Sequence, residues 1–255
     1  MSGTNGLVLQ ARDRRLLEAL ESMRIVDRDQ VMAVAGFHSI TRANTRLLRL
    51  KNAGLLGRLF VGSWAGNRKA LYVLSAKGAA IAGVQLWHLN RRSADRLIVD
   101  PFIEHQLAVN SLRILINSPP AADVRVNSWK VFREPLSASV PLAPDGYFEI
   151  QVTESIHPMF LEVDRGTEGQ RIWKQKTQSY LRLAASGEFA RRFGRERFRV
   201  LVVAHSARRL DSIRKAVSNH TEKIFWFAPF ESINREGFWS PIWVRPKGDL
   251  KHSLL

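Results

Sequence analysis

Apolar residues near the N-terminus recur at helical spacing in three short segments. Leu16, Leu17 and Leu20 share one face of the first segment, with charged residues on the other face. Asp27 can cap a second helix, and Gly36 suits its C-terminus. The pattern therefore predicts helices over residues 11–22, over residues 28–35, and from Ser39 or Thr41 to about Lys51.

The third predicted helix has two chemically different faces. Its core-facing positions are expected to be Ile40, Ala43, Leu47 and Leu50, and its opposite face carries Arg42, Thr45, Arg46 and Arg49. Long basic and polar side chains on one helical face can reach base edges and phosphates in a DNA major groove. The alternative interpretation is a surface helix with ordinary solvated charges.

Two predicted strands follow, over residues 55–61 and 69–74, around a glycine-bearing tip that ends in Arg68 and Lys69. A short helix capped by Ser75 closes this region. No acidic residue occurs between Asp29 and Asp95, so the basic residues of the window are uncompensated. A helix-turn-helix followed by a basic hairpin predicts a winged-helix domain that binds phosphate backbones.

The rest of the chain alternates helical and strand periodicity. The predicted elements are a helix over 101–116, strands over 124–132, 148–152 and 159–163, a helix from Thr167, a strand over 198–204, a helix over 206–218, and strands over 223–227 and 241–244. This order predicts an α/β mixed sheet. The expected domains are 1–85 and 101–245, joined by a linker over 86–100 and followed by a loose tail over 246–255.

Acidic and basic side chains meet in the predicted strand-strand-helix unit. Asp145 follows Pro144, while Glu162 and Asp164 share one face of a strand because strand side chains alternate. Lys176 lies on or beside the helical stripe that meets the sheet. Three carboxylates can hold Mg²⁺, or Mn²⁺ as a substitute, for phosphodiester hydrolysis. Taken singly, each of these residues also has a structural interpretation, as a turn cap or an ordinary ion pair.

The composition of the chain limits the classes of partner that it is expected to bind. The formal net charge is +16, which favours a polyanion, with double-stranded DNA as the leading candidate. The chain has no cysteine, so any metal must bind oxygen or histidine ligands. There is no long apolar run and no signal-peptide pattern, so the sequence predicts a cytoplasmic protein without membrane partners.

Pro144-Asp145 followed by Glu162-Val163-Asp164 resembles the PD-(D/E)XK nuclease pattern, and LEVDRGTE followed by Lys176 and Tyr180 resembles the replication-relaxation family of plasmid and mobile-element proteins. The resemblance implies a restriction-endonuclease-like core behind a winged helix. It also implies that Asp145 and Glu162 are metal ligands. Asp164 stands where the nuclease pattern has lysine, so Lys176 would have to supply the missing ammonium.

Three functions follow from this sequence. The first is a double-stranded DNA-binding protein of a plasmid, phage or related element that cleaves DNA with Mg²⁺. The second is a non-enzymatic DNA-binding accessory or regulatory protein with a degenerate nuclease-like domain. The third is a winged-helix module that recruits replication or transfer proteins. The missing motif lysine favours the second over the first.

Overall fold

The computed structural model describes residues 7–62, 68–86 and 101–255, and it divides into two compact units, Met1–Ile114 and Leu115–Leu255. The sequence prediction placed a boundary near residue 86 and assigned residues 101–116 to the second domain. In the structure, most of that helix packs on the first unit. Residues 63–67 of the hairpin tip predicted over 62–68, and nearly all of the predicted linker, lie outside the described residues.

Within the described residues, the first unit combines five helices with a small sheet. Its elements are α1 (Ala11–Met23), β1 (Ile25–Asp27), α2 (Arg28–Ala35), α3 (Ile40–Asn52), β2 (Leu56–Gly62), β3 (Arg68–Leu74), α4 (Ala76–Ala82) and α5 (Pro101–Ile116). The three strands pair antiparallel in the order β1-β3-β2. The predicted capping residues are used as expected, because Asp27 accepts the Gln30 N–H and Gly36 takes a left-handed conformation.

A continuous core holds the first unit together. Leu16, Leu17 and Leu20 of α1 pack with Leu47 and Leu50 of α3. The prediction that Ile40 faces this core was wrong, since its side chain is 51% exposed. Ile40 is the first residue of α3, where the chain has only begun to turn towards the core.

Polar contacts fix α5 to the first unit. The Asn110 side-chain amide donates to the carbonyls of Met23 and Ile25 at 3.0 and 2.7 Å. The Gln30 amide donates to the Leu107 carbonyl at 2.8 Å. The two Asn110 bonds are buried and satisfy the carbonyls of the last residue of α1 and the first residue of β1, so a helix distant in sequence completes this unit.

The second unit is an α/β domain with a mixed five-stranded sheet. After the end of α5 come β4 (Val124–Lys130), β5 (Gly146–Val152), β6 (Ser155–Asp164), α6 (Gln170–Ala185), α7 (Glu188–Phe193), β7 (Arg199–Ala204), α8 (Ala207–Ser218), β8 (Phe225–Pro229) and α9 (Phe230–Glu236). The strand order is β4-β5-β6-β7-β8. The first three strands pair antiparallel and the last three pair parallel. Aromatic and aliphatic side chains of α6, α7 and α8 bury one face of this sheet.

The structure differs from the prediction at the start of β6 and at the predicted last strand. His157-Pro158 was predicted to interrupt the chain but lies inside β6. The strand tolerates Pro158 because β7 begins opposite Met159, so the missing N–H faces no ladder partner on that side. The predicted strand over 241–244 is only a pair of isolated bridges.

The C-terminal segment was predicted to be loose, and this prediction was wrong. Trp243 and His252 exchange two backbone hydrogen bonds, of 3.2 and 2.8 Å. Leu254 is buried against the second unit. The apolar and hydrogen-bonding contacts of this segment therefore outweigh its polar composition.

Across the described ranges, no helix is long and apolar enough to cross a membrane.

Candidate functional site

Helix α3 presents an exposed basic face in the first unit. Ser39 caps its N-terminus, and burial of Ala43, Leu47 and Leu50 turns the opposite face outward. Arg42, Thr45 and Arg49 are exposed on that face, as the sequence predicted. Within the described residues, the Arg42 and Arg49 side chains form no hydrogen bond or ion pair with other groups. Both guanidinium groups are therefore available to an external anion.

Arg46 lies between the buried and exposed faces of α3 and is already engaged. Its Nε donates to the buried Asp13 carboxylate at 2.9 Å, and its Nη2 donates to the same carboxylate and to the Val8 carbonyl at 2.7 Å. The Asp13 hydrogen bond raises the pKa of Arg46. This ion pair attaches α1 to α3, so these Arg46 contacts are structural rather than directed outward.

The hairpin residues are only partly described. Lys69 is exposed, and its Nζ pairs with the Asp27 carboxylate at 2.6 Å. Arg68 begins β3, and its position is given by the backbone alone. The exposed side chains of α3 thus provide the best-defined basic surface of this unit.

A second candidate site lies where β5, β6 and α6 meet. Asp145 immediately precedes β5, its N–H donates to the Leu161 carbonyl at 3.1 Å, and its Oδ2 accepts the Val163 N–H at 2.7 Å. These two bonds straddle Glu162, which is 1% exposed. The backbone ladder of the sheet therefore holds the two carboxylates close together.

Helix α6 supplies the positive and hydroxyl partners of Glu162. Lys176 Nζ lies 2.8 Å from Glu162 Oε2 and 2.7 Å from Glu168 Oε1. The Tyr180 hydroxyl donates to Glu162 Oε1 at 2.6 Å. Lys176 and Tyr180 are four residues apart, so one face of α6 delivers both groups to the same carboxylate.

Burial sets the electrostatics of this cluster. Desolvation raises the pKa of Glu162 to about 7, with Asp145 acting in the same direction and Lys176 opposing it. Desolvation alone would lower the pKa of Lys176, but the charges of Glu162, Glu168 and Asp145 raise it above its ordinary value. The ammonium is thus held firmly in its charged form, while the Glu162 carboxylate can take up a proton near neutral pH.

Asp164 faces the same side of the sheet but belongs to a different set of contacts. Arg209 of α8 donates to its two oxygens at 2.7 and 2.8 Å. The Trp173 indole and the Gly166 N–H donate at 3.0 and 2.8 Å. Burial alone would raise the Asp164 pKa, but these hydrogen bonds lower it. Asp164 is therefore a structural carboxylate in a bidentate ion pair.

These contacts decide how the predicted residues fit a divalent cation. Both oxygens of Glu162 and both oxygens of Asp164 accept hydrogen bonds from protein groups. In the portion of the chain that the structure describes, no three His, Asp or Glu side chains are grouped as metal ligands. The side chains as arranged do not fit a three-carboxylate magnesium site, because Lys176 and Arg209 already neutralise two of the acids.

One family model, described as replication-relaxation, matches residues 17–196, which is most of the 255-residue chain. The chain belongs to the replication-relaxation family. The resemblance inferred from the sequence is therefore confirmed, and membership suggests a role in replication or relaxation of a plasmid or other mobile element. No curated protein and no solved structure matches the chain.

The match to the replication-relaxation family spans the α3 face and the cluster around Glu162, but it ends before Arg209. Sequence reasoning placed Asp145, Glu162 and Lys176 in one cluster, and the structure brings these three together. It also placed Asp164 among the metal ligands and did not identify Arg209. Glu168, Lys176 and Tyr180 are spaced eight and four residues apart, and this helical spacing was a usable signal for the additional partners. Arg209 comes from a distant helix and has no local sequence signal.

Proposed function

We propose that this member of the replication-relaxation family is a double-stranded DNA-binding protein of a plasmid, phage or other mobile element, acting without cleaving DNA. Its first unit is a winged helix that places α3 in the major groove. The observation that carries the proposal is the exposed face of α3, where Arg42 and Arg49 flank Thr45 and have no ion-pair partner among the residues that the structure describes.

The order of elements in the first unit supports this use of α3. A helix pair, α2 and α3, precedes the antiparallel hairpin of β2 and β3, and α3 stands on a rigid core. Docking an exposed helix in a major groove requires such a support, because the helix must present its side chains without bending. The sequence from α3 through the hairpin carries no acidic residue, so this stretch adds no carboxylate that would repel phosphate groups.

Binding of a duplex by the full chain tests the proposal. Changing Arg42→Ala together with Arg49→Ala should weaken binding by roughly 10- to 100-fold and reduce the salt slope by about 2, because two phosphate or base contacts are lost. The matched control changes Arg14→Ala and Arg15→Ala, two exposed arginines of α1. Fluorescence anisotropy at several salt concentrations provides both quantities. Equal affinities and equal slopes for the two double variants would contradict the proposal.

The state of the second unit supports a non-cleaving role. Its order of strands and helices on a mixed sheet is compatible with a nuclease-like framework. However, Asp164 replaces the motif lysine and forms an ion pair with Arg209. Glu162 accepts hydrogen bonds from Lys176 and Tyr180. A carboxylate that is already neutralised by a buried cation is a weaker ligand for a second cation.

A second candidate function is Mg²⁺-dependent strand cleavage, and one observation favours it. Asp145, Glu162 and Lys176 converge in one cluster, which matches the acids of the resembled nuclease pattern with the ammonium supplied from α6. Supercoiled plasmid incubated with the full chain and Mg²⁺ or Mn²⁺ tests this candidate. Nicking that is lost in an Asp145→Ala, Glu162→Ala double variant would support cleavage. Intact plasmid together with a gel shift by both proteins would support the non-cleaving role.

A further inference from the structure

A basic cavity lies at the N-terminal ends of β6, β7 and β8 in the second sheet. The Glu162 cluster lies near the opposite end of β6. Its volume is about 960 Å³, within the range of sites that hold small ligands. Its walls come from the start of β6, from the segments that enter β7 and β8, and from the C-terminal segment. His157 in this cavity and Glu162 are five positions apart along β6. At the usual strand rise this spacing corresponds to roughly 17 Å. The cavity is therefore separate from the acidic cluster.

The lining of the cavity is strongly cationic. Arg197, Arg199, Lys223 and Arg245 contribute to it, together with Arg195, whereas Glu196 supplies the sole carboxylate of the lining. Arg195 pairs with Glu149 at 3.2 Å, outside the lining. In the described part of the chain, none of the other four cations forms an ion pair with a carboxylate. An uncompensated positive charge of this size attracts an anion.

Two of the arginines are held in place before any ligand arrives. The Arg199 and Arg245 guanidinium groups lie 4.8 and 4.7 Å from the centre of the Trp226 ring. Arg199 also donates to the Leu254 carbonyl at 2.9 Å, and Arg245 donates to the Glu222 carbonyl at 3.2 Å. The indole and the two carbonyls thus orient two planar donor groups towards one space without neutralising them.

Arg199 and Arg245 are partly buried, and their charges interact unfavourably with each other. Burial lowers the pKa of Arg199, and the neighbouring charge of Arg245 lowers it further. Burial also lowers the pKa of Arg245. Two like charges that are partly desolvated and close together raise the free energy of the folded chain. A bound anion that accepts from both guanidinium groups would reverse this penalty.

We propose that this cavity binds the phosphate group of a nucleotide or of a nucleic acid strand, with Arg199 and Arg245 as paired donors and Lys223 and Arg197 at the rim. Phosphate matches two planar guanidinium donors, since its oxygens accept bidentate hydrogen bonds. The site lies in the second unit and does not depend on duplex recognition by α3.

Three probes distinguish the source of the phosphate in equilibrium binding to the full chain: inorganic phosphate, deoxyadenosine monophosphate, and a single-stranded hexathymidylate. Saturable binding of the mononucleotide with weak binding of the hexathymidylate would assign a free nucleotide. Tighter binding of the hexathymidylate would assign a strand backbone. Absence of saturable binding for all three probes would overturn the proposal.

The decisive variant changes Arg199→Gln and Arg245→Gln, and we expect its affinity for the bound probe to fall by roughly 10- to 100-fold because two charged hydrogen bonds are lost. The matched control changes Arg171→Gln and Arg208→Gln, exposed arginines near the starts of α6 and α8. Those two helices begin after the C-terminal ends of β6 and β7, at the opposite end of the strands from the cavity. Equal loss in both double variants would overturn the assignment to this cavity.

A milder variant distinguishes loss of binding from loss of folding. Lys223 is exposed, and its side chain makes no hydrogen bond or ion pair among the described residues, so Lys223→Gln removes one charge of the cavity with little effect on packing. We expect roughly 3-fold weaker probe binding with an unchanged melting temperature. Unchanged affinity in this variant and in the Arg199, Arg245 variant would overturn the proposal. The proposal would also be overturned if hexathymidylate binding were lost only in the Arg42→Ala, Arg49→Ala protein. That result would place the contact with the strand in the first unit.

Discussion

At the scale of single residues, Glu162 joins the sheet to α6 through two hydrogen bonds from Lys176 and Tyr180. Its pKa is raised from 4.5 to about 7, chiefly by burial. The folded state therefore holds this proton more tightly than the unfolded state does. The resulting contribution to stability is fully present below about pH 4.5 and is lost as the pH rises through about 7.

This linkage predicts a pH-dependent difference between the wild type and Glu162→Gln. The wild type should lose stability relative to the variant as the pH rises from 5 towards 7.5, by at most about 1.4 kcal/mol per pH unit. Thermal unfolding midpoints of the two proteins across this range measure the difference. Glu154→Gln, which changes an exposed carboxylate at the β5–β6 turn, is the control and should follow the wild type. Parallel curves for the wild type and Glu162→Gln would contradict the account.

Sequence reasoning succeeded with residues whose roles depend on local spacing. Alternation along one strand placed Glu162 and Asp164 on the same face, and both side chains do face α6 and α8. It could not assign the partner of each carboxylate, because Arg209 lies 45 residues from Asp164 along the chain. It could not foresee that Arg46 binds Asp13, since that contact depends on how α1 packs against α3.

At the scale of elements, the Asp164–Arg209 ion pair connects β6 to α8. Asp164 is 1% exposed, so removal of Arg209 would leave a buried charge without its cation. Loss of one partner of a buried pair typically costs about 3–5 kcal/mol.

Arg209→Leu should therefore lower the unfolding midpoint of the chain by roughly 10 °C. The companion double variant Asp164→Asn, Arg209→Leu should recover part of this loss, because it removes the buried charge as well. Calorimetry compares both with Arg208→Gln, an exposed neighbour on the same helix that should have no effect. If the Arg209→Leu and Arg208→Gln variants have the same unfolding midpoint, the ion pair contributes no stability and this interpretation is wrong.

Helix α4 packs closely against the segment that joins α3 to β2. A Cβ atom at Gly78 would lie 2.2 Å from the Leu55 carbonyl oxygen, much closer than two such atoms can approach. Gly78→Ala should therefore destabilise the first unit by about 1–3 kcal/mol, since backbone must move to admit the methyl group. Gly169→Ala is a matched control, because a Cβ there meets open space. Thermal unfolding of both proteins measures the effect, and equal midpoints would show that α4 accommodates the methyl group.

The elements that the sequence predicted well are those with both periodicity and caps. The bounds of α2 and α4 follow from Asp27, Gly36 and Ser75, which act through local hydrogen bonds. The short strand β1 was missed because three residues carry no usable period, and its pairing with β3 is set by the tertiary structure. Helices α7 and α9 were missed for the same reason, since each spans fewer than two full turns of apolar pattern.

At the scale of the whole molecule, the net charge of +16 predicted a polyanionic partner but not where the charge is concentrated. The fold concentrates positive charge at two places: the exposed face of α3, formed by residues close in sequence, and the basic cavity, formed by residues from four segments. The first could be read from helical spacing. The second could not, because Arg199, Lys223 and Arg245 become neighbours only when β7, β8 and the C-terminal segment pack together.

The central claim is that α3 lies against duplex DNA, and site-specific photocrosslinking tests it most directly. A photoreactive amino acid at Thr45, on the exposed face of α3, should crosslink to a bound duplex in high yield. The same group at Glu18, exposed on α1, should give at least about tenfold less product, because direct contact is needed for the reaction. Strong crosslinking from Glu18 with none from Thr45, in proteins that both bind the duplex, would contradict the account.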